Sequence, residues 1–176
     1  GELFAMSGGT RRHSRIAVKL ASALERRLSG KPCQVFNSDL RLKIEATGLY
    51  AYPDVQVACG NLRFENDQED TLLNPKIIVE VLSDSTAAWD RGEKFRHYRH
   101  LESLAEYVLV SQGEWVVEHY LRQSDGTWVL PTVEGEQGVL SLPSIKCKVP
   151  LAEIYANTGL SSGTKPSKRA PRRSAK

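Results

Sequence analysis

The sequence predicts a mixed β-sheet with flanking helices, an architecture of the α/β or α+β class. Residues 77–82 form a nearly continuous apolar run rich in β-branched side chains, which is typical of a central strand covered on both faces. Segments with strand-like alternation lie before and after this run, and segments with helical periodicity lie between them. Strands around a buried central strand, with helices between them, favour a mixed sheet.

The pattern before the central strand predicts one helix and three strands. Residues 1–6 alternate weakly and predict a short strand. Apolar residues recur every four positions between Arg11 and Leu28, which predicts a helix that ends at the Ser-Gly-Lys-Pro segment 29–32. Alternation predicts strands at 33–45 and 51–58. The polar and acidic residues 60–74 predict a surface loop.

After the central strand, the pattern predicts two helices and three further strands. Residues 84–88 are expected to form a turn, and the Asp90-x-x-Glu93 box is expected to start a helix that runs to about His100. The later elements are strands at 106–110, 115–121 and 128–133, a hairpin turn at 124–127, and a short helix at 151–155.

Length and composition indicate one domain with a tail. The chain has 176 residues, of which 40% are hydrophobic and 26% charged, and this composition excludes a fibrous or wholly disordered protein. No apolar run approaches the roughly 18 residues that a membrane span requires. The N-terminus lacks the pattern of a secretory signal, so we expect a cytoplasmic protein. We assign residues 1–158 to the domain and 159–176 to a basic disordered tail.

The net charge of +3 comes from the tail, where residues 161–176 hold six basic side chains and no acid. The high isoelectric point therefore does not indicate a basic face on the domain. The cysteines Cys33, Cys59 and Cys147 lie far apart without a Cys or His cluster, which argues against a structural zinc site. We expect all three to be reduced, buried thiols.

Glu80 interrupts the apolar central strand and shares a strand face with Ile78 and Leu82. An ionised carboxylate there is costly unless it is paired or bound to a metal. Asp54 follows Pro53 and opens a valine-rich strand, although a Pro-Asp turn is the alternative interpretation. Lys94 lies four residues after Asp90 on one helix, and an exposed ion pair is the alternative there.

Together these three residues indicate phosphodiester hydrolysis. Mg²⁺ prefers oxygen ligands, commonly one or two carboxylates with waters and a substrate phosphate. Two acids on adjacent strands can supply such a site, and a nearby lysine can orient the attacking water or stabilise the developing charge.

The ordered motifs resemble the Uma-two family of predicted restriction endonucleases, within the PD-(D/E)XK nuclease superfamily. The resemblance is carried by Tyr52-Pro53-Asp54-Val55, by the 78–86 segment around Glu80, by Asp90-Arg91-Gly92-Glu93-Lys94-Phe95, by Tyr98 and by the strand that starts at Glu106. It extends from Gly1 to Tyr155. The family's extra N-terminal helix is expected to be missing here.

The resemblance implies a restriction-endonuclease-like mixed sheet flanked by helices and Mg²⁺-dependent cleavage of DNA, with Mn²⁺ as a substitute metal. It implies Asp54 and Glu80 as metal ligands, with the backbone carbonyl of Val81 as a third. The superfamily's lysine position is Leu82 here, so Lys94 is expected to serve instead. His13 and Glu2 become candidates to lie just outside the metal's ligands, although an ordinary helix-terminus histidine is the alternative for His13.

A nucleic-acid-binding or assembly protein without turnover is the alternative function. The residues do not separate DNA from RNA. In either function the tail is a candidate DNA-binding segment through Lys165, Lys168, Arg169, Arg172 and Arg173. A homodimer is a possible assembly, because a two-fold dimer cuts both strands by symmetry. We expect no nucleotide cofactor, since no glycine-rich phosphate loop is present, and no membrane partner. Tyr98, Trp115 and Trp128 are expected to be packing residues.

Overall fold

The structure is a computed structural model that describes residues 9–160. The strand predicted at 1–6, Glu2 and the five candidate DNA-binding residues of the tail lie outside the described residues. Within the described range the elements, in chain order, are α1 (Arg11–Leu28), β1 (Cys33–Asn37), β2 (Arg41–Ile44), β3 (Leu49–Ala51), β4 (Val55–Cys59), β5 (Thr71–Leu72), β6 (Ile77–Leu82), α2 (Ala87–Trp89), a π-helical turn (Asp90–Lys94), α3 (Phe95–Tyr98), β7 (Glu106–Ser111), β8 (Val116–Arg122), β9 (Trp128–Val129), β10 (Thr132–Glu134), β11 (Val139–Leu142), a 3₁₀ turn (Pro143–Ile145), β12 (Cys147–Pro150) and α4 (Leu151–Ile154).

A mixed sheet is the centre of the described chain. Its strands lie in the order β1-β4-β6-β7-β8-β10, and β9 also pairs with β8. β6 and β7 are parallel, while the other neighbours are antiparallel. Every residue of β6 is buried, as predicted for a central strand. The predicted mixed sheet with flanking helices is confirmed.

Two hydrophobic cores cover the two faces of this sheet. On one face, the apolar side of α1 packs on the odd-numbered residues of β4 and β6, together with β11, β12 and α4. On the other face, Ile78 and Leu82 of β6 pack with Tyr98, Tyr107 and the small sheet β3-β2-β5. Glu80 projects toward this second core because it alternates with Ile78 and Leu82.

Three predicted strands are each divided in the structure, and one of them, 128–133, forms β9 and β10. Residues 33–45 form β1 and β2, which belong to different sheets because the Asn37 side chain accepts the N–H of Asp39 in a turn. Residues 51–58 divide at Pro53, so that β3 ends before it and β4 begins after it. The predicted loop 60–74 contains β5, and the hairpin of β11 and β12 was not predicted.

The prediction of reduced thiols is wrong for two of the three cysteines. The antiparallel register of β1 and β4 places Cys33 opposite Cys59, and the two form a disulfide. Only the register brings them together, because 26 positions separate them in sequence. Cys147 is a buried free thiol, as predicted.

Candidate active site

The candidate site lies where β4 begins beside the carboxyl end of β6. Val55 pairs with Val79 in antiparallel register, so Asp54 and Glu80 come next to each other just beyond this pair. The backbone N–H of Val81 donates to Asp54 Oδ2 at 2.7 Å. Here a side chain takes the place of a backbone acceptor, and it holds Asp54 against β6.

Glu80 is buried on the face of the sheet opposite α1, with 4% of its surface exposed. The hydroxyl of Tyr98 donates to Glu80 Oε1 at 2.9 Å, and Lys94 Nζ lies 2.7 Å from the same oxygen. Tyr98 is fully buried and packs edge-on against Tyr107. Tyr98 is therefore a packing residue, as predicted, and it also orients the carboxylate.

Lys94 and Asp90 do not form an exposed ion pair. Lys94 Nζ lies 3.2 Å from Asp90 Oδ1, and Asp90 is only 3% exposed. The hydroxyl of Tyr107 donates to the backbone carbonyl of Asp90 at 3.0 Å. One mostly buried ammonium, whose side chain is 16% exposed, thus lies between two buried carboxylates, those of Glu80 and Asp90.

A π-helical turn presents this lysine and aspartate. The predicted turn 84–88 is confirmed at 84–86, but the helical segment begins at Ala87 rather than at Asp90, so the predicted helix-start box is wrong in position. Glu93 faces away from the helix start and pairs with Arg96 instead. Such wide turns are frequent at functional sites in proteins.

The pKa values reflect this crowding of buried charges. Burial raises the pKa of Glu80 to about 7, because desolvation together with the charges of Asp54 and Asp90 outweighs the attraction of Lys94. Burial alone would lower the pKa of Lys94, but attraction by Glu80 and Asp90 is larger in sum and raises it. Lys94 therefore stays an ammonium near neutral pH.

His13 approaches Asp54 from the opposite side of the sheet. Its Nε2 lies 3.2 Å from Asp54 Oδ2. The hydrogen bond with Asp54 raises the pKa of His13 against the opposing effect of burial, and the negative charges of Asp54 and Glu80 add to the rise. His13 is in the first turn of α1, where Thr10 caps the helix by accepting the His13 N–H. The structure thus brings His13 into the site.

The donor set of the site fits a hard divalent cation. Both contacts on Glu80 fall on Oε1 and both on Asp54 fall on Oδ2, so no described residue donates to the second oxygen of either carboxylate. Val81 directs its N–H toward Asp54, and its carbonyl faces the same strand edge. Among residues 9–160 no group of three or more His, Cys, Asp or Glu side chains is arranged as a metal site. Mg²⁺ does not need one, since it commonly takes only one or two protein carboxylates.

Asp90 and the hydroxyl of Tyr98 are the site groups that sequence reasoning missed. The four-residue spacing from Asp90 to Lys94 was visible, but it does not tell a buried pair from an exposed one. A buried glutamate–histidine pair lies outside this site, where Glu106 at the start of β7 is 2.6 Å from His119.

Comparisons with known proteins relate the chain to nucleases. A family model, Uma2, described as "Putative restriction endonuclease", matches residues 1–152. Two uncharacterized proteins of Synechocystis sp., slr1290 and sll1609, are 38% and 34% identical over 157 and 146 residues. These matches cover 88% and 83% of this chain, and 80% and 82% of the relatives.

A solved structure shares the fold. It is described as a "putative nuclease belonging to DUF820" from Anabaena variabilis ATCC 29413, and it superposes with a TM-score of 0.70 at 15% sequence identity. The match covers 88% of this chain and 86% of that one. Among residues 9–160, every helix is too short or too polar to cross a bilayer.

Proposed function

This chain belongs to the Uma2 family, and we propose on that basis that it is a metal-dependent endonuclease that hydrolyses the phosphodiester bonds of DNA. The observation that carries the proposal is the bond from the Val81 N–H to Asp54 Oδ2. It joins an acid at the start of β4 to the strand that carries Glu80, so two carboxylates from distant parts of the chain meet at one sheet edge.

The residues divide into ligands and charge-stabilising groups. Asp54, Glu80 and the Val81 carbonyl would hold Mg²⁺, or Mn²⁺ in its place. The cation, when bound, supplies Lewis-acid polarisation of the phosphoryl oxygen and an activated water. Cation binding favours the ionised form of Glu80, whose pKa is otherwise about 7.

Lys94 supplies positive charge rather than a base in this proposal. Its raised pKa keeps the amine protonated, so it can stabilise charge that develops on the phosphate or orient a water by donating to it. Asp90 gives Lys94 a second counter-charge, which keeps the ammonium in place when a cation binds Glu80.

Plasmid nicking by the full chain tests the proposal. Supercoiled DNA is incubated with Mg²⁺, with Mn²⁺ and with EDTA, and open-circle product is measured over time. We expect cleavage with either metal and none with EDTA. Glu80→Gln and Asp54→Asn should each lower the rate by at least about 100-fold, since each removes a metal ligand but keeps side-chain volume.

Glu106→Gln is the matched control, because it also neutralises a buried glutamate of the same sheet but outside the site. It should retain cleavage if circular dichroism shows that it is folded. Unchanged cleavage in Glu80→Gln would refute the proposed chemistry. DNA binding by the unaltered chain without cleavage under any metal would instead favour the non-catalytic alternative.

A further inference from the structure

A row of basic side chains runs along the first half of α1. Arg11, Arg15 and Lys19 are spaced by four residues, so they lie along one side of the helix. Arg11 and Arg15 are exposed and Lys19 is partly exposed. Among the described residues no acid lies within ion-pair distance of the three. By contrast, Arg26 and Arg27 at the other end of α1 both pair with Glu153.

Arg11, the first cation of the row, lies at the helix end that disfavours it. The N-terminus of a helix carries partial positive charge, so acids are favourable there and cations are not. The first turn of α1 contains no acid but begins with Arg11 and Arg12. Overall composition does not explain the row either, because residues 9–160 contain 18 basic and 20 acidic side chains. The position of Arg11 is unfavourable for the isolated fold, and an anionic partner along the exposed row would offset it.

The row starts at the end of the molecule that holds the candidate site. Arg11 and Arg12 line an open cleft with Thr10, Asp84, Gln112 and Gly113. Asp84 follows the end of β6, and Gln112 follows the end of β7, so the cleft lies at the sheet edge toward which Glu80 is placed. Arg12 is held there by hydrogen bonds to the carbonyls of Gln112 at 3.1 Å and Thr158 at 3.3 Å.

The length of the row matches a polyanion with regular charges. Arg11 and Lys19 are eight residues apart, which is about 12 Å along a helix. One DNA strand carries a phosphate about every 3.4 Å of duplex axis, so the row spans about three to four nucleotides. A regular line of phosphates can meet all three cations, whereas a single small anion can meet only one or two.

We propose that Arg11, Arg15 and Lys19 bind the phosphate backbone of a DNA duplex and hold it beside the Asp54–Glu80 site. This inference rests on the proposed function for its choice of DNA as the polyanion. The row carries no base-reading group, so its contribution is independent of sequence and depends strongly on salt.

Fluorescence anisotropy of the full chain with a labelled duplex in EDTA tests the inference without cleavage. The variant Arg11→Gln/Arg15→Gln/Lys19→Gln should bind the duplex on the order of 100-fold more weakly at 0.1 M salt, because it loses three phosphate contacts. Each lost contact should also lower the slope of log K against log salt concentration by about 0.9. The matched control, Lys31→Gln/Lys76→Gln/Lys148→Gln, removes the same charge away from the row and should bind within about threefold of the unaltered chain.

Three outcomes would overturn the inference. They are no binding by the unaltered chain, equal weakening by the two triple variants, and binding of anionic vesicles through the row without binding of the duplex. The chemistry is measured separately as hydrolysis of bis(4-nitrophenyl) phosphate by the unaltered chain with Mn²⁺. If this hydrolysis and plasmid nicking are both absent while the row still governs duplex binding, the proposed function fails and the binding surface stands.

Discussion

Replacing Lys94 by methionine tests whether buried charge compensation holds the site together. The ammonium lies 2.7 Å from Glu80 and 3.2 Å from Asp90, and the side chains of these acids are 5% and 4% exposed. Methionine keeps much of the apolar stem but leaves both acids without their shared counter-charge. The native state must then bury uncompensated charge or take up a proton.

The expected loss follows from the burial of the pair. Removing one partner of a buried ion pair costs about 3–5 kcal/mol, whereas an exposed pair is worth about 0–1 kcal/mol. Arg96→Met is the matched control, because Arg96 pairs with Glu93 on the next helical turn, at 70% and 50% side-chain exposure. We expect Lys94→Met to lower the free energy of unfolding by several times as much as Arg96→Met.

Urea unfolding at pH 5.5 and pH 8, with and without Mg²⁺, measures these differences. The loss in Lys94→Met should be smaller at pH 5.5, because Glu80 then holds a proton and no longer needs the ammonium. Mg²⁺ should stabilise Lys94→Met more than the unaltered chain, since a cation at Glu80 would replace the missing charge. Equal losses in the two variants, or a loss that does not change with pH, would refute this account.

Three further predictions concern the same site. In Glu80→Gln, the free energy of unfolding should rise relative to that of the unaltered chain as the pH increases from about 4.5 to about 7, by up to about 3 kcal/mol. The reason is that native Glu80 keeps a proton over this pH range, whereas Glu80 of the unfolded chain has lost it. Urea unfolding across the range measures the difference, and parallel stability curves for the two proteins would contradict the prediction. Tyr98→Phe removes the donor to Glu80 and should cost about 1.5–3 kcal/mol above pH 7 and less below it, as measured by thermal unfolding at two pH values. Gly9→Ala would place a Cβ 2.9 Å from His13 Nδ1, so we expect the ring to move away from Asp54 and the pKa of His13 to fall toward 6.5. An NMR titration of His13 measures this pKa, and an unchanged value would contradict the prediction.

The central strand and its acid could be predicted because burial leaves a direct trace in sequence. A β-branched run marks β6, and the charge of Glu80 within it is visible as an interruption. Strand register leaves no such trace. The disulfide of Cys33 with Cys59, and the division of 33–45 between two sheets, depend on which residues face each other across strands, and the alternation of one strand does not contain that information.

The role of Asp90 was hidden for a related reason. Its spacing from Lys94 is the same for an exposed surface pair and for a buried one, and the difference lies in what packs over the helix. Tyr107 from the neighbouring strand and Tyr98 from the next helical turn pack over this part of the helix. Tyr107 is distant in sequence, and the position of Tyr98 alone does not show that it packs there. The acids were thus identifiable one by one, whereas the network that neutralises them required the structure.

The bond between Asp54 and the Val81 amide has a consequence for how the chain tolerates change in length. Strand pairing sets the distance between the two acids. The 25 residues that separate them in sequence therefore do not determine how far apart the two carboxylates lie. The turn at 66–70, between the Phe64 bridge and β5, could gain or lose residues without displacing either carboxylate. By contrast, one residue inserted between Asp54 and Val55 would carry Asp54 out of reach of that amide.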